Sequence, residues 1–235
     1  MSSVANSLLR FFRGRSSSQD PLAVPSPGER FPRRSSGFGE FMRRISDTSG
    51  LSILDVGSTS PANISFLTNL GHKIYNEDLL VGSVDPEFAR KGEDGKPTVD
   101  VTAFLKHSLV YEPEQFDAVL CWDVPDYLNE SVVKPVIERI HRIMRPGGVM
   151  LAFFHTRDAG PDAPCYRYHI ASPDSLQLQP VWKPSTDGRH KNPRQPMFRL
   201  QRVFNNRHVE NLFHDYASLK FFLARDNVRE VLVVR

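Results

Sequence analysis

From residue 51 onward the apolar residues fall into short runs that alternate between two periods. "LSILDV" (51–56) is a continuous apolar run closing on an acid, the pattern of a strand buried on both faces. Ser60-Pro61 then reads as a helix start, a capping hydroxyl followed by proline at the first helical position. Ile64, Leu67 and Leu70 follow at helical spacing, and Gly71 suits the residue just past the helix end. "HKIYN" predicts a second strand ending at Glu77-Asp78, and residues 79–97 are polar and irregular. A short strand is expected near 98–101, and "FDAVLCW" (116–122) is the clearest buried strand.

Val133, Val136, Ile137, Ile140, Ile143 and Met144 make the strongest helical stripe, which stops at Arg145-Pro146-Gly147-Gly148. "VMLAFFH" is again a buried strand. Seven prolines between 156 and 198 break the alternation. A helix at about 206–214 follows, then "ASLKFFLA", a turn at Arg225-Asp226-Asn227, and "VREVLVV". This order predicts a doubly wound α/β fold, a mostly parallel sheet with helices on both faces. A tight turn cannot join parallel strands, so the last two strands must be antiparallel.

Composition separates the first 37 residues from the rest. Residues 1–50 hold eight Arg, no Lys and four acids, and are rich in Ser, Gly and Pro, too few apolar groups to offset the entropy of ordering. Residues 1–37 are therefore read as a flexible basic arm whose removal leaves folding intact, and 38–235 as the folded domain, with a short helix at 38–47 packed on it. Within the arm, "VANSLLRFFRGR" places Val4, Leu8, Phe11 and Phe12 on one helical face. Residues 4–15 can accordingly be read as a weak membrane-surface or protein contact, or simply as part of a flexible arm, and the composition favours the arm. The remainder of the chain is near neutral, which argues against a nucleic-acid partner. Cys121 and Cys165 show no metal-ligand spacing and suggest no disulfide framework, so no metal is expected and a cytoplasmic location is. No apolar run reaches membrane-spanning length, and Arg10 and Arg13 interrupt the apolar stretch a signal peptide would need.

Ligands of an open parallel sheet bind beyond the carboxyl ends of its strands. Those ends carry Asp55-Val56-Gly57-Ser58-Thr59, Glu77-Asp78, Asp100-Val101, Cys121-Trp122-Asp123 and His155-Thr156. Carboxylates in this position suit an ammonium or ribose hydroxyls rather than phosphate, and no phosphate-binding G-x-x-x-x-G-K-[ST] loop is present.

In these motifs the chain from about residue 51 to its end resembles the class I S-adenosylmethionine-dependent methyltransferases, of the small-molecule, type 11-like kind. "ILDVGST" resembles the family's L-D-x-G-x-G-x-G loop, and "GHKIYNED" its second strand with an acid 23 residues after Asp55. "FDAVLCWDVPDYL" resembles the fourth-strand motif, and "IERIHRIMRPGGVMLAFF" the helix, turn and fifth strand. The resemblance implies a seven-stranded sheet with a C-terminal antiparallel hairpin, and S-adenosyl-L-methionine as cofactor. Carried over by position, Asp55, Gly57, Ser58 and Thr59 would meet the methionine end. Asp78, or its neighbour Glu77, would hold the ribose, and Asp100 and Val101 the adenine. Trp122 and Asp123 would lie near the transferred methyl group. Thr59 and Pro61 stand where the family carries glycines, and Thr59 adds a Cβ where the backbone approaches the ligand.

Methyl transfer from a sulfonium is an in-line displacement for which the protein supplies orientation and, for some acceptors, a base. His155 is the best-placed base, with Tyr127 lining the acceptor pocket. Residues 157–199 would form a substrate-side flap, in which "CYRYHIASPDSLQLQPVW" and "MFRLQRVF" pair around a basic stretch. Two functions follow: methyl transfer to oxygen, nitrogen or carbon of a small molecule, or a non-catalytic methyltransferase-like binding module. Methylation of RNA or protein rests on the basic stretch alone.

Overall fold

The computed structural model describes residues 28–93, 95–158, 160, 163–183, 195–223 and 226–235. The apolar helix face proposed for residues 4–15 and most of the basic stretch (184–194) lie outside these. In chain order the elements are β1 (Phe31–Arg34), α1 (Ser36–Ile45), β2 (Ser52–Asp55), α2 (Pro61–Asn69), β3 (Lys73–Asn76) and α3 (Leu79–Ser83). A 3-10 turn at Pro86–Phe88 leads to β4 (Ala89–Lys91), β5 (Pro97–Val99), α4 (Val101–His107) and β6 (Phe116–Trp122). Then come α5 (Val124–Tyr127), α6 (Glu130–Ile143), β7 (Met144–His155), β8 (Cys165–Ser172) and β9 (Ser175–Val181). The chain closes with α7 (Asn206–Leu212), β10 (Ser218–Leu223) and β11 (Val228–Val234).

A central sheet runs in the order β10-β11-β7-β6-β2-β3. Strands β7, β6, β2 and β3 are parallel, while β11 inserts antiparallel between β7 and β10, as the tight final turn requires. Among the described residues the sheet has six strands, one fewer than the seven expected. The segment expected as another strand near 98–101 pairs instead with β4 in a separate two-stranded hairpin. Strand β4 is exposed throughout and β5 only half-buried at Thr98 and Val99, so neither has the two apolar faces that would bury it in a parallel sheet.

Side chains alternate across the central strands and divide the core in two. Leu54, Val119, Cys121, Met150 and Phe154 face α4, α6 and α7, whose buried residues include Phe104, Val136, Ile140 and Val209. Ile53, Ala118, Leu120, Trp122 and Phe153 face α1 and α2. Helix α1 meets them with Phe38, Phe41, Met42 and Ile45, an i, i+3, i+4, i+7 set, and starts at Ser35, whose side chain accepts from the Phe38 amide.

A second sheet, β1-β9-β8, covers this second face. Two expectations change here. The two expected pieces do not pair with each other: β8 and β9 form a hairpin within "CYRYHIASPDSLQLQPVW", and among the described residues "MFRLQRVF" contributes no strand, the isolated bridge Trp182–Pro196 lying just before it. Nor does the folded body begin at residue 38. Phe31–Arg34 forms the third strand of the flap, with Phe31 opposite Leu178 and Arg34 opposite Ser175. Arg33 is buried against the terminal hairpin, paired with Asp226 at 2.6 Å and Glu230 at 2.7 Å, its guanidinium 4.9 Å from the Phe153 ring centre. Average composition concealed this because one buried arginine, paired across the fold, decides it.

Candidate functional site

The site lies where the ends of β2 and β6 meet the flap. Strand β2 delivers Asp55, wholly buried, whose Oδ1 accepts from the Gly57 amide at 3.2 Å and from the Trp122 indole Nε1 at 2.8 Å. Its Oδ2 is buried without a formed hydrogen bond, as is the Thr59 hydroxyl. Burial pushes the Asp55 carboxyl up to about 6, opposed by Thr59, Trp122, Gly57 and Asn63.

Strand β6 ends with Trp122 in the left-handed region, φ 50°, which turns its indole back onto Asp55 and Gly57. A Cβ on Gly57 would lie 2.7 Å from Trp122 Cδ1, so glycine here admits the indole. Tyr168 of β8 stacks on the other side of Trp122, centroids 5.1 Å apart and planes 3° from parallel. The Tyr168 hydroxyl donates to Asp123 at 2.9 Å. Asp123 is buried, which raises its pKa against the lowering effects of His155 and Tyr168.

Asn63 of α2 holds the flap in this position. Its Nδ2 donates to the Tyr168 carbonyl at 2.9 Å, and its Oδ1 accepts from the Ile170 amide at 2.8 Å. Beside it, the Arg167 guanidinium reaches the cofactor-type loop and donates through Nε (3.1 Å) and another nitrogen, Nη2 (3.0 Å), to Ser58 Oγ. Gly57, Ser58, Trp122, Asp123, Tyr127 and Tyr166 border the cavity that results. Its free volume is about 20 Å³, room for roughly one water.

The other expected site residues divide. Asp78 caps α3, its Oδ1 accepting from Leu80 at 3.2 Å and Val81 at 3.1 Å, while Oδ2 takes no hydrogen bond. Glu77 points elsewhere and accepts from the Leu109 amide at 2.8 Å. Asp100 caps α4 through Ala103 and pairs with Arg90 at 3.0 Å, and Val101 packs against the core. His155 does not border the cavity. Its Nδ1 lies 2.7 Å from Asp126 Oδ2, which also accepts from the His155 amide at 2.6 Å. Burial disfavours the charged imidazole, but the bond to Asp126 and the charges of Asp123 and Asp126 hold its pKa above the ordinary value. Tyr127, in edge contact with His155, does border the cavity.

Residues 54–152, which span the ends of β2, β3 and β6, match the family model described as a methyltransferase domain. That match covers the central part of the chain, from the end of β2 into β7. No curated protein matches it in sequence. Among solved structures it is similar to a Burkholderia thailandensis 1,6-didemethyltoxoflavin-N1-methyltransferase bound to its substrate and S-adenosylhomocysteine. The two share 11% identity over 85% of this chain and 77% of that one, with a TM-score of 0.45. A Mesorhizobium loti S-adenosylmethionine-dependent methyltransferase is similar at 12% identity over 85% and 98%, also with a TM-score of 0.45. At those scores neither likeness adds to the topology and the family match.

The site offers a cofactor carboxylates but little room. The buried Asp55 carboxylate suits an ammonium, and the Asp78 carboxylate suits ribose hydroxyls. The space beside Gly57 is taken by Trp122, so a cofactor enters there only as the indole leaves. Sequence reasoning placed Trp122 at the site but missed Asn63, Tyr166, Arg167 and Tyr168. The aromatic-cationic alternation of "CYRYHI" was the available signal.

Proposed function

We propose that this chain transfers the methyl group of S-adenosyl-L-methionine to oxygen, nitrogen or carbon of a small molecule. The observation that carries the reading is Asp55: a wholly buried carboxylate, one oxygen unsatisfied, beside Gly57 in a family-matched loop. A domain with no cationic ligand gains nothing from burying that charge, which costs stability unless paired. Asp55 would hold the methionine ammonium and Asp78 the ribose. The cofactor supplies an electrophilic methyl group. Trp122, Tyr127, Tyr166 and Tyr168 would exclude water and orient an acceptor against it. The Asp126–His155 pair, behind Tyr127, would take up the acceptor's proton where one must leave. The buried free thiols of Cys121 and Cys165 accord with a cytoplasmic setting, and no helix among the described residues is long and apolar enough to cross a membrane.

A second reading is favoured by one specific observation. Trp122 fills the cradle and leaves about 20 Å³, against the roughly 300–1,000 Å³ of a small-molecule site. On that reading the domain is a non-catalytic module that binds partners. Calorimetry with S-adenosylhomocysteine on wild type, Asp78→Ala and Trp122→Ala separates the two. Under the enzyme reading wild type binds, Asp78→Ala weakens binding about tenfold or more, and Trp122→Ala strengthens it by opening the cradle. No binding to wild type or Trp122→Ala at millimolar ligand would sink the enzyme reading.

A further inference from the structure

We propose that Arg167 is the receptor for the carboxylate at the cofactor's methionine end, making the flap part of the cofactor site. The inference rests on the cofactor reading above and deepens it.

Arginine presents a planar fork of N–H donors matched to the two oxygens of a carboxylate. In Arg167 the edge formed by Nε and Nη2 is aimed at one neutral oxygen, Ser58 Oγ, at 3.1 and 3.0 Å. One hydroxyl is a poor counterpart for a two-pronged cation. Other part-buried or surface arginines of this chain do find carboxylates: Arg33 pairs with Asp226 and Glu230, Arg90 with Asp100, Arg145 with Asp117 and Arg202 with Glu130. Among the described residues Arg167 has no acid within ion-pair distance, although it is only partly exposed.

Its position supplies the missing partner. Asp55 is tied to the Gly57 amide and Arg167 to the hydroxyl of the next residue, Ser58. An anionic and a cationic group are thus anchored on adjacent residues of one loop, Gly57 and Ser58, which themselves border the cavity although Asp55 and Arg167 do not line it. An α-amino acid presents the complementary pair, an ammonium and a carboxylate on a single carbon. Thr59 and Pro61 leave this loop without a cation of its own, and the side chain reaching across from β8 brings one to it. Tyr166 and Tyr168, its neighbours along the strand, border the cavity, and Asn63 fixes the strand there through the Tyr168 carbonyl and the Ile170 amide.

The test compares two ligands that differ only in the carboxylate, S-adenosylhomocysteine and its decarboxylated analogue. Binding is measured by calorimetry on the full chain, for wild type, Arg167→Gln and Arg167→Lys. Wild type should prefer the carboxylate-bearing ligand by tenfold or more. Arg167→Gln should abolish that preference while leaving the analogue's affinity within twofold, and Arg167→Lys should retain part of it. A flap loosened by the substitution would weaken both ligands together, so the ratio isolates the ion pair, and Arg167→Lys serves if the glutamine variant does not fold. A preference that survives in Arg167→Gln, or is missing from wild type, overturns the role of Arg167 and leaves the cofactor reading standing. Failure of every form to bind either ligand overturns both.

Discussion

Asp55 carries the sharpest conflict between stability and function in the molecule. Its folded-state pKa of about 6 lies above the ordinary 3.8, so the folded protein holds this proton more tightly than the unfolded chain. Below pH 4 both states are protonated and the group contributes nothing. As pH rises the unfolded chain gives up the proton first, and stability falls until about pH 6, where the full penalty is reached. Two units correspond to about 3 kcal/mol. Asp55→Asn, which keeps the acceptor for Trp122 and Gly57, should therefore raise stability at pH 7.5 by up to about 3 kcal/mol. Urea denaturation at pH 7.5 and pH 4 checks this, because the gain should vanish at the lower pH. An equal gain at both would show that packing, not charge, is responsible.

Among the elements, the flap hairpin β8–β9 is held by few but well-placed bonds. Asn63 is fully buried and satisfies one amide and one carbonyl of β8. Asn63→Ala leaves both unpaired, at a cost of roughly 3 kcal/mol if neither finds water. Its signature should be local: hydrogen exchange at the Ile170 amide should quicken far more than in β6. Uniform acceleration across the sheet would mean that the flap and the central sheet open together. In β6, strand alternation together with the left-handed turn at Trp122 puts the indole on the α1–α2 face.

Across the whole molecule, Arg33 ties the start of the described chain to its last hairpin. Glu230, 1% exposed, accepts from the Gly37 amide at 2.6 Å and pairs with Arg33. Arg33→Met strands that carboxylate in the core and should cost about 3–5 kcal/mol. Adding Glu230→Gln should recover much of the loss, because glutamine can still accept from Gly37. Thermal melting of the single and double variants decides it, and a double variant no more stable than Arg33→Met would remove the buried charge as the cause. By the same reasoning, truncation through residue 37 destabilises the fold.

How much of this was legible in the sequence follows from the range of each interaction. Strand β6 could be placed over 116–122, and the antiparallel close of the sheet inferred, because a strand's alternation and a turn's length are local properties. The strand-end acids were legible for the same reason. What those acids do was not. Asp100 turned to α4 and Arg90, and Glu77 to Leu109, because each satisfies the nearest unpaired donor its backbone position offers. The contents of the cradle depend on still longer contacts. Trp122 meets Asp55 across 67 residues, Tyr168 meets Asp123 across 45, and Arg167 meets Ser58 across 109. The sequence by itself determined a doubly wound sheet with a loop of cofactor type, since local periodicity and turn chemistry are enough to specify those. Only the tertiary structure decided that an indole lies in that loop, that a flap closes over it and that Phe31–Arg34 completes the flap, because each depends on which distant side chains share one buried volume.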